Sequence, residues 1–260
     1  MQNKSRKLLS LQMILFELRN TTGNPYVHIF GIGMPILLVY VISRVLVSEI
    51  TQETILSMAI TSLFLGIGAI IPLATIFIGY SASRAQEMEK GIPQRMELFG
   101  IKTKVTLCNR VISEGIFMLI AFVIYFAFGY IFMNIKVPTV SGACLYAVCI
   151  IILSIIVFCL AHSIATIFKK FGITYCITMM LYFAIMIFSG MMGVTYENMS
   201  EGMQAVARLL PTTYINRDFY TVWTGESYNF VPMLQSYLFL AAIAGILLFV
   251  AIRHTARKLH

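Results

Sequence analysis

The sequence predicts an all-α, polytopic membrane protein: six transmembrane helices, an N-terminal amphipathic interfacial helix, and a short external helical element before the last span. Three observations predict it. Of 260 residues, 59% are hydrophobic and only 12% charged, too few charges to cover the surface of a soluble domain of this length. The apolar residues gather into six runs, each about the 20 residues that a helix needs to cross a bilayer core. Lys and Arg collect between alternate runs, the positive-inside pattern. A net charge of +8 could suit a nucleic-acid partner. Its confinement to one side of the predicted membrane argues against that reading.

In chain order, residues 1–24 come first. Lys4, Arg6 and Lys7 precede an apolar stretch that Gln12, Glu17 and Arg19 interrupt, and no small-residue cleavage site follows, so a signal peptide is disfavoured. Leu8, Leu11, Leu15 and Leu18 share one helical face, with Arg6, Ser10 and Glu17 opposite, which predicts a helix lying along the membrane surface. The breaker cluster Asn20 to Pro25 separates it from the first span. The six spans are expected at 26–47, 55–80, 111–133, 143–168, 173–192 and 231–252. Pro35 and Pro72 fall inside spans, where neighbouring helices can satisfy the freed carbonyls.

With the N-terminus inside, the inner segments hold 15 of the 19 basic residues, leaving Arg44, Lys136, Arg208 and Arg217 outside. This asymmetry predicts both termini in the cytoplasm. Glu49, Glu53, Glu197, Glu201, Asp218 and Glu226 all fall on the outer side. The whole chain, 1–260, is expected to form one transmembrane domain. Cys108, Cys144, Cys149, Cys159 and Cys176 form no CxxC pair and are expected to act as small buried apolar side chains.

Two loops are long enough to carry function. Residues 81–110 are cytoplasmic by this topology, charged and expected to be helical. Gly91, Pro93 and Gly100 punctuate them, and Glu87, Glu89 and Lys90 precede Met96, Leu98 and Phe99. A short charged helix with a few apolar anchors suits docking onto a soluble partner; a solvated basic loop is the plainer alternative. Residues 193–230 are external. Met199, Met203, Val206 and Leu210 follow i, i+4, i+7, i+11, which predicts an amphipathic helix of about three turns stopped by Pro211. Glu114, at the inner start of the third span, is placed either to pair with Arg110 one turn earlier or simply to favour the helix N-terminus. Arg44 can snorkel to the outer interface, and His28 and His162 are expected to be structural. The sequence contains no GxxxxGK[ST] phosphate loop, no HExxH, and no arginine series for voltage sensing.

Together these pieces resemble the membrane subunits of ABC transporters of the type-2 exporter family, over nearly the whole chain. The order of surface helix and six spans fits. So does Glu87-Met88-Glu89-Lys90-Gly91-Ile92 followed by Gln94–Gly100, similar to that family's coupling segment. Phe188-Ser189-Gly190 at the end of the fifth span and Leu210-Pro211-Thr212-Thr213-Tyr214 before the sixth also match. The proline that many members carry soon after Ser-Gly is missing from Gly193-Val194-Thr195.

The resemblance implies a non-enzymatic permease subunit in a bacterial cell membrane, paired with a second permease as homodimer or heterodimer. It implies a separate ABC ATP-binding subunit that holds ATP and Mg, with no cofactor, catalytic residue or metal in this chain. Glu87, Glu89, Arg95, Met96 and Phe99 would couple to that ATPase. Ser189, Gly190, Met199, Met203, Val206, Leu210, Pro211 and Tyr214 would form an external gate, and the first, second and fifth spans would line the pathway. The implied activity is export of a hydrophobic or amphipathic substrate, such as a peptide, drug or lipid-linked molecule. A stand-alone secondary transporter or channel is the alternative, but the span centres carry almost none of the charges that ion coupling needs. A toxin-binding immunity protein is another.

Overall fold

The structure is a computed structural model that describes residues 9–256. The expectations for Lys4, Arg6, Lys7, Leu8, Arg257 and Lys258 lie outside those residues. A surface helix, Leu11–Thr22, leads into six spans: Pro25–Glu49, Glu53–Glu89, Thr103–Phe132, Val140–Phe168, Phe171–Phe188 and Val231–His254. No strand occurs among the described residues. One end of the bundle carries the basic residues 81–110 and is called the basic end; the other is the opposite end.

The second span is the centre of the bundle. Of its most apolar stretch, 89% is buried inside the chain, against 22% for the first, third and fifth spans. Leu65, Ile67, Ile70, Ile71 and Ile78 reach zero exposure and pack in one core with Leu153, Val157 and Ala161 of the fourth span. Pro72 interrupts this helix, because proline donates no hydrogen bond and clashes with the preceding turn. Just before it the helix tightens, and Ala69 N–H bonds the Gly66 carbonyl at 3.0 Å instead of reaching back to Leu65. The Leu65 carbonyl thus freed accepts the Tyr146 hydroxyl at 2.9 Å, and Phe64 O accepts Tyr125 at 2.8 Å. Beyond Pro72 the helix widens into a π-helical stretch, Leu73–Tyr80. A second π-helical stretch, Ile29–Gly33, ends two residues before Pro35 in the first span, and the two stretches face each other with Gly31 against Thr75.

Several boundaries differ from the sequence expectation, each for a local reason. The second helix runs past Tyr80 to Glu89, and the third begins at Thr103, not 111. The extra turns are polar, so hydropathy stops early while the helix continues. Between them the short tip helix Ile92–Leu98 is bounded by Gly91 and Gly100, both with positive φ. The fifth helix ends at Phe188, and Gly190 turns the chain with φ +76°. Pro211 starts a helix instead of stopping one. It sits in the first turn of Pro211–Arg217, where its missing N–H has no partner to lose. The expected three-turn outer helix is shorter, Glu201–Ala207, with the Ser200 hydroxyl accepting Met203 N–H as its cap. Cys144 and Cys176 are exposed on span surfaces, whereas Cys149 is buried as expected; all five are free thiols.

Candidate functional site

At the basic end, the surface helix presents its polar face to the protein. Leu11, Leu15 and Phe16 are exposed, while Glu17 and Thr21 are buried against the third span. That arrangement turns the apolar face toward lipid and the charged face inward. Arg110 of the third span is the hub. Its Nη1 lies 2.7 Å from Glu17 and 3.2 Å from Glu87, and its Nε lies 3.0 Å from Glu114. Its Nη2 donates to Ser83 at 2.8 Å. Arg84 holds Glu87 from the other side at 3.4 Å, and Thr21 donates to Glu114 at 3.0 Å. The cluster therefore ties three pieces of chain: the surface helix, the polar extension of the second span, and the third span. Burial raises the Glu17 carboxyl above its ordinary value, opposed by the attraction of Arg110. Glu114 Oε2 and Arg84 Nε have no hydrogen-bond partner, so compensation of the buried charges is incomplete.

The residues expected to couple to a partner divide into two sets. Glu87 belongs to the ionic cluster. Glu89 Oε2 accepts Phe171 N–H at 2.9 Å, satisfying one of the free donors at the start of the fifth span. Arg95 donates to the Lys90 carbonyl at 2.5 Å and Met96 is half-buried, so both shape the tip helix. Phe99 is 78% exposed and its neighbour Leu98 86%. An aliphatic and an aromatic side chain thus stand in solvent at the end of a stalk made from two spans.

At the opposite end, the expected gate residues come together with partners that the sequence did not show. The Ser189 and Thr212 hydroxyls lie 2.5 Å apart, and Asn216 Nδ2 donates to the Ser189 carbonyl at 2.9 Å. Asn216 in turn lies on Gly66 of the second span, where an added Cβ would fall 1.8 Å from Asn216 Oδ1. Ser62 donates to the Asn216 carbonyl at 2.9 Å. Ser62 is nine residues into the helix that begins at Glu53, about 14 Å along its axis. The helices Pro211–Arg217 and Phe219–Thr224 therefore insert between the spans. Trp223 stacks against Phe126 at 6.2 Å, and Met199 is buried, its terminal methyl 3.9 Å from a Cβ position at Gly190. Met203 and Leu210 are half-buried, Val206 is exposed, and Tyr214 donates to the Arg208 carbonyl at 3.1 Å. The outer face of this plug holds a cavity of about 580 Å³ lined by Tyr196, Arg208, Thr213, Arg217, Asp218 and Tyr228, among others. Arg217 makes a two-pronged pair with Asp218 at 2.6 and 3.0 Å and stacks on Tyr196 at 4.6 Å. Burial raises the Tyr228 phenol well above its ordinary value and Asp218 raises it further, so it stays protonated and donates to Asp218 at 3.1 Å.

Of the spans expected to line a pathway, the first and fifth carry exposed apolar faces, including Leu37, Val41, Met180 and Leu181. The second shows such residues only in its first turns, at Ile55 and Met58. The sequence pattern exposed the Arg110–Glu114 pair through its i, i+4 spacing. Glu17, 93 positions from Arg110, carried no such signal, nor did Asn216 or Trp223, and Thr212 stood in the matched Leu210–Tyr214 segment with no partner indicated.

A stalk at one end, a plug at the other and six apolar spans between them define a multi-pass α-helical membrane protein. The family model described as ABC-2 type transporter matches residues 11–222, and the chain belongs to that family. It is an ABC permease subunit and not the ATPase, and membership implies an ABC ATP-binding partner. No curated protein and no solved structure matched the chain.

Proposed function

We propose that this chain is the membrane half of an ATP-driven exporter, moving a hydrophobic or amphipathic substrate out of the cytoplasm or inner leaflet. Two permeases pair, as identical or related chains, and an ATPase holding ATP and Mg docks on each stalk tip. The basic end, with both termini, faces the cytoplasm of a bacterial cell. The observation that carries this reading is the tip at Leu98 and Phe99: two exposed apolar side chains at the end of a stalk whose two helices Arg110 ties together, pairing with Glu87 on one and Glu114 on the other. Exposed apolar anchors on a rigid mount are what a docking surface needs, because burial on the partner supplies affinity and the mount transmits force. Outward movement then requires the plug 189–224 to shift against Gly66, opening the exit. Polar contacts such as Ser62 to the Asn216 carbonyl hold it closed.

The test is co-purification in mild detergent, followed by ATPase and transport assays of the reconstituted complex. A stoichiometric soluble ATPase, with Phe99→Ala hydrolysing ATP but transporting poorly, is the expected result. Absence of any ATPase from the intact protein, or normal coupling in Phe99→Ala, refutes the reading. Phe99 is the better probe than Glu89, whose replacement also removes the cap on the fifth span.

A further inference from the structure

The third and fourth spans are consecutive in the chain, yet each packs mainly elsewhere: the third on the surface helix, the fourth on the sixth and second spans. They meet through side chains at separate heights, Phe126 against Tyr146 at 6.2 Å and Ser154 on Met118 at 3.2 Å. Between them runs a groove of about 990 Å³. Its walls include Met118, Phe122, Ala147, Ile151 and Ile155, and its floor is Ile76 and Trp223. It extends from Glu114 to Tyr130, about 24 Å of helix, most of the roughly 30 Å hydrocarbon core of a bilayer.

Water has little reason to enter. Ser154 donates to the Ile150 carbonyl, Tyr146 to the Leu65 carbonyl and Trp223 to the Lys136 carbonyl, so the polar groups along the middle of the walls are already committed within the protein, and Glu114 and Tyr130 stand only at the two ends. The faces flanking the groove, Leu119 at 64% and Ile155 at 59% exposure, belong to membrane-spanning helices, so the medium at its mouth is hydrocarbon. An empty apolar channel forfeits dispersion contacts along its whole length, and hydrocarbon chains are the abundant molecules that restore them. The volume is at the upper end of ligand-sized cavities, as a long flexible ligand requires.

We propose that this groove binds the acyl chains of a membrane phospholipid, held between the third and fourth spans against Trp223. The site stands independently of the transport reading. It places lipid against the plug: Trp223 belongs to the inserted helix Phe219–Thr224, and its carbonyl accepts Thr139 N–H at the start of the fourth span.

Trp223 is the chain's single tryptophan, so its fluorescence reports on the groove alone. The full chain would be reconstituted into phosphatidylcholine vesicles whose acyl chains carry bromine, a contact quencher. Strong quenching relative to unbrominated vesicles is expected. Ala147→Phe, which fills the groove, should remove at least roughly half of that quenching, and Ile151→Phe should do the same if Ala147→Phe fails to insert. No quenching of the native chain, or equal quenching with the groove filled, overturns the proposal. Disulfide capture between two copies through Ala147→Cys, with the five native cysteines replaced, would place a second copy in the groove and also overturn it.

Discussion

Replacing Arg110 with methionine tests whether the buried ionic cluster holds the stalk together. Arg110 is 4% exposed and contacts three carboxylates, at 2.7, 3.0 and 3.2 Å. Methionine fills a similar volume but leaves Glu17 and Glu114 buried without a cation, since Arg84 reaches only Glu87. Removing one member of a buried ion pair typically costs about 3–5 kcal/mol, because the remaining charge keeps its desolvation penalty. For a chain of this size roughly 2–4 °C follows per kcal/mol, so a loss of about 6–20 °C in melting temperature is expected. The assay is thermal unfolding in mild detergent, read by Trp223 emission. The triple variant Glu17→Leu, Arg110→Met, Glu114→Leu removes the uncompensated charge together with its partners, and should recover most of the loss. A melting temperature for Arg110→Met within about 2 °C of the native protein would refute the reasoning, since the cluster would then be solvated or dispensable.

Other perturbations separate packing from docking. Gly66→Ala drives a methyl into Asn216 and should cost about 1–3 kcal/mol in the same melting assay, with part recovered by Asn216→Gly. Ser189→Ala and Thr212→Val each remove one end of a buried hydrogen bond; a double-mutant cycle should give a coupling of about 0.5–1.5 kcal/mol, and additive losses would show the contact is not formed. Phe99→Ala should leave stability within about 0.5 kcal/mol of native, because the ring is 78% exposed, while lowering transport per ATP hydrolysed.

The spans were legible because crossing hydrocarbon demands a long apolar run, and nothing else in a chain of this length produces six of them. Helix within 81–110 was legible too, but not that Ser81–Glu89 continues the second span unbroken, because its polar residues satisfy one another across distant parts of the chain and hydropathy has no access to pairing. Pro211 is ambiguous by nature, serving equally as a stop for the preceding helix and the first residue of the next. The π-helical stretches followed from no composition signal beyond the two prolines near them. The direction of the surface helix's polar face was hidden for a similar reason. Periodicity showed that Glu17 and the leucines lie on opposite sides, but only the presence of Arg110 across from Glu17 says which side meets the protein.

The break in the second span has a mechanical consequence. From Glu53 to Glu89 this helix is a rod of about 55 Å, one end reaching the plug and the other the stalk tip. A rigid rod tilted by about 5° about its midpoint would move each end by about 2.4 Å. This rod, however, is jointed near its middle at Ala69–Pro72. The joint is clamped by two hydroxyls, Tyr125 from the third span and Tyr146 from the fourth. The span therefore behaves as a two-segment lever whose stiffness is set by its neighbours. Replacing either tyrosine with phenylalanine would slacken the linkage without touching either end.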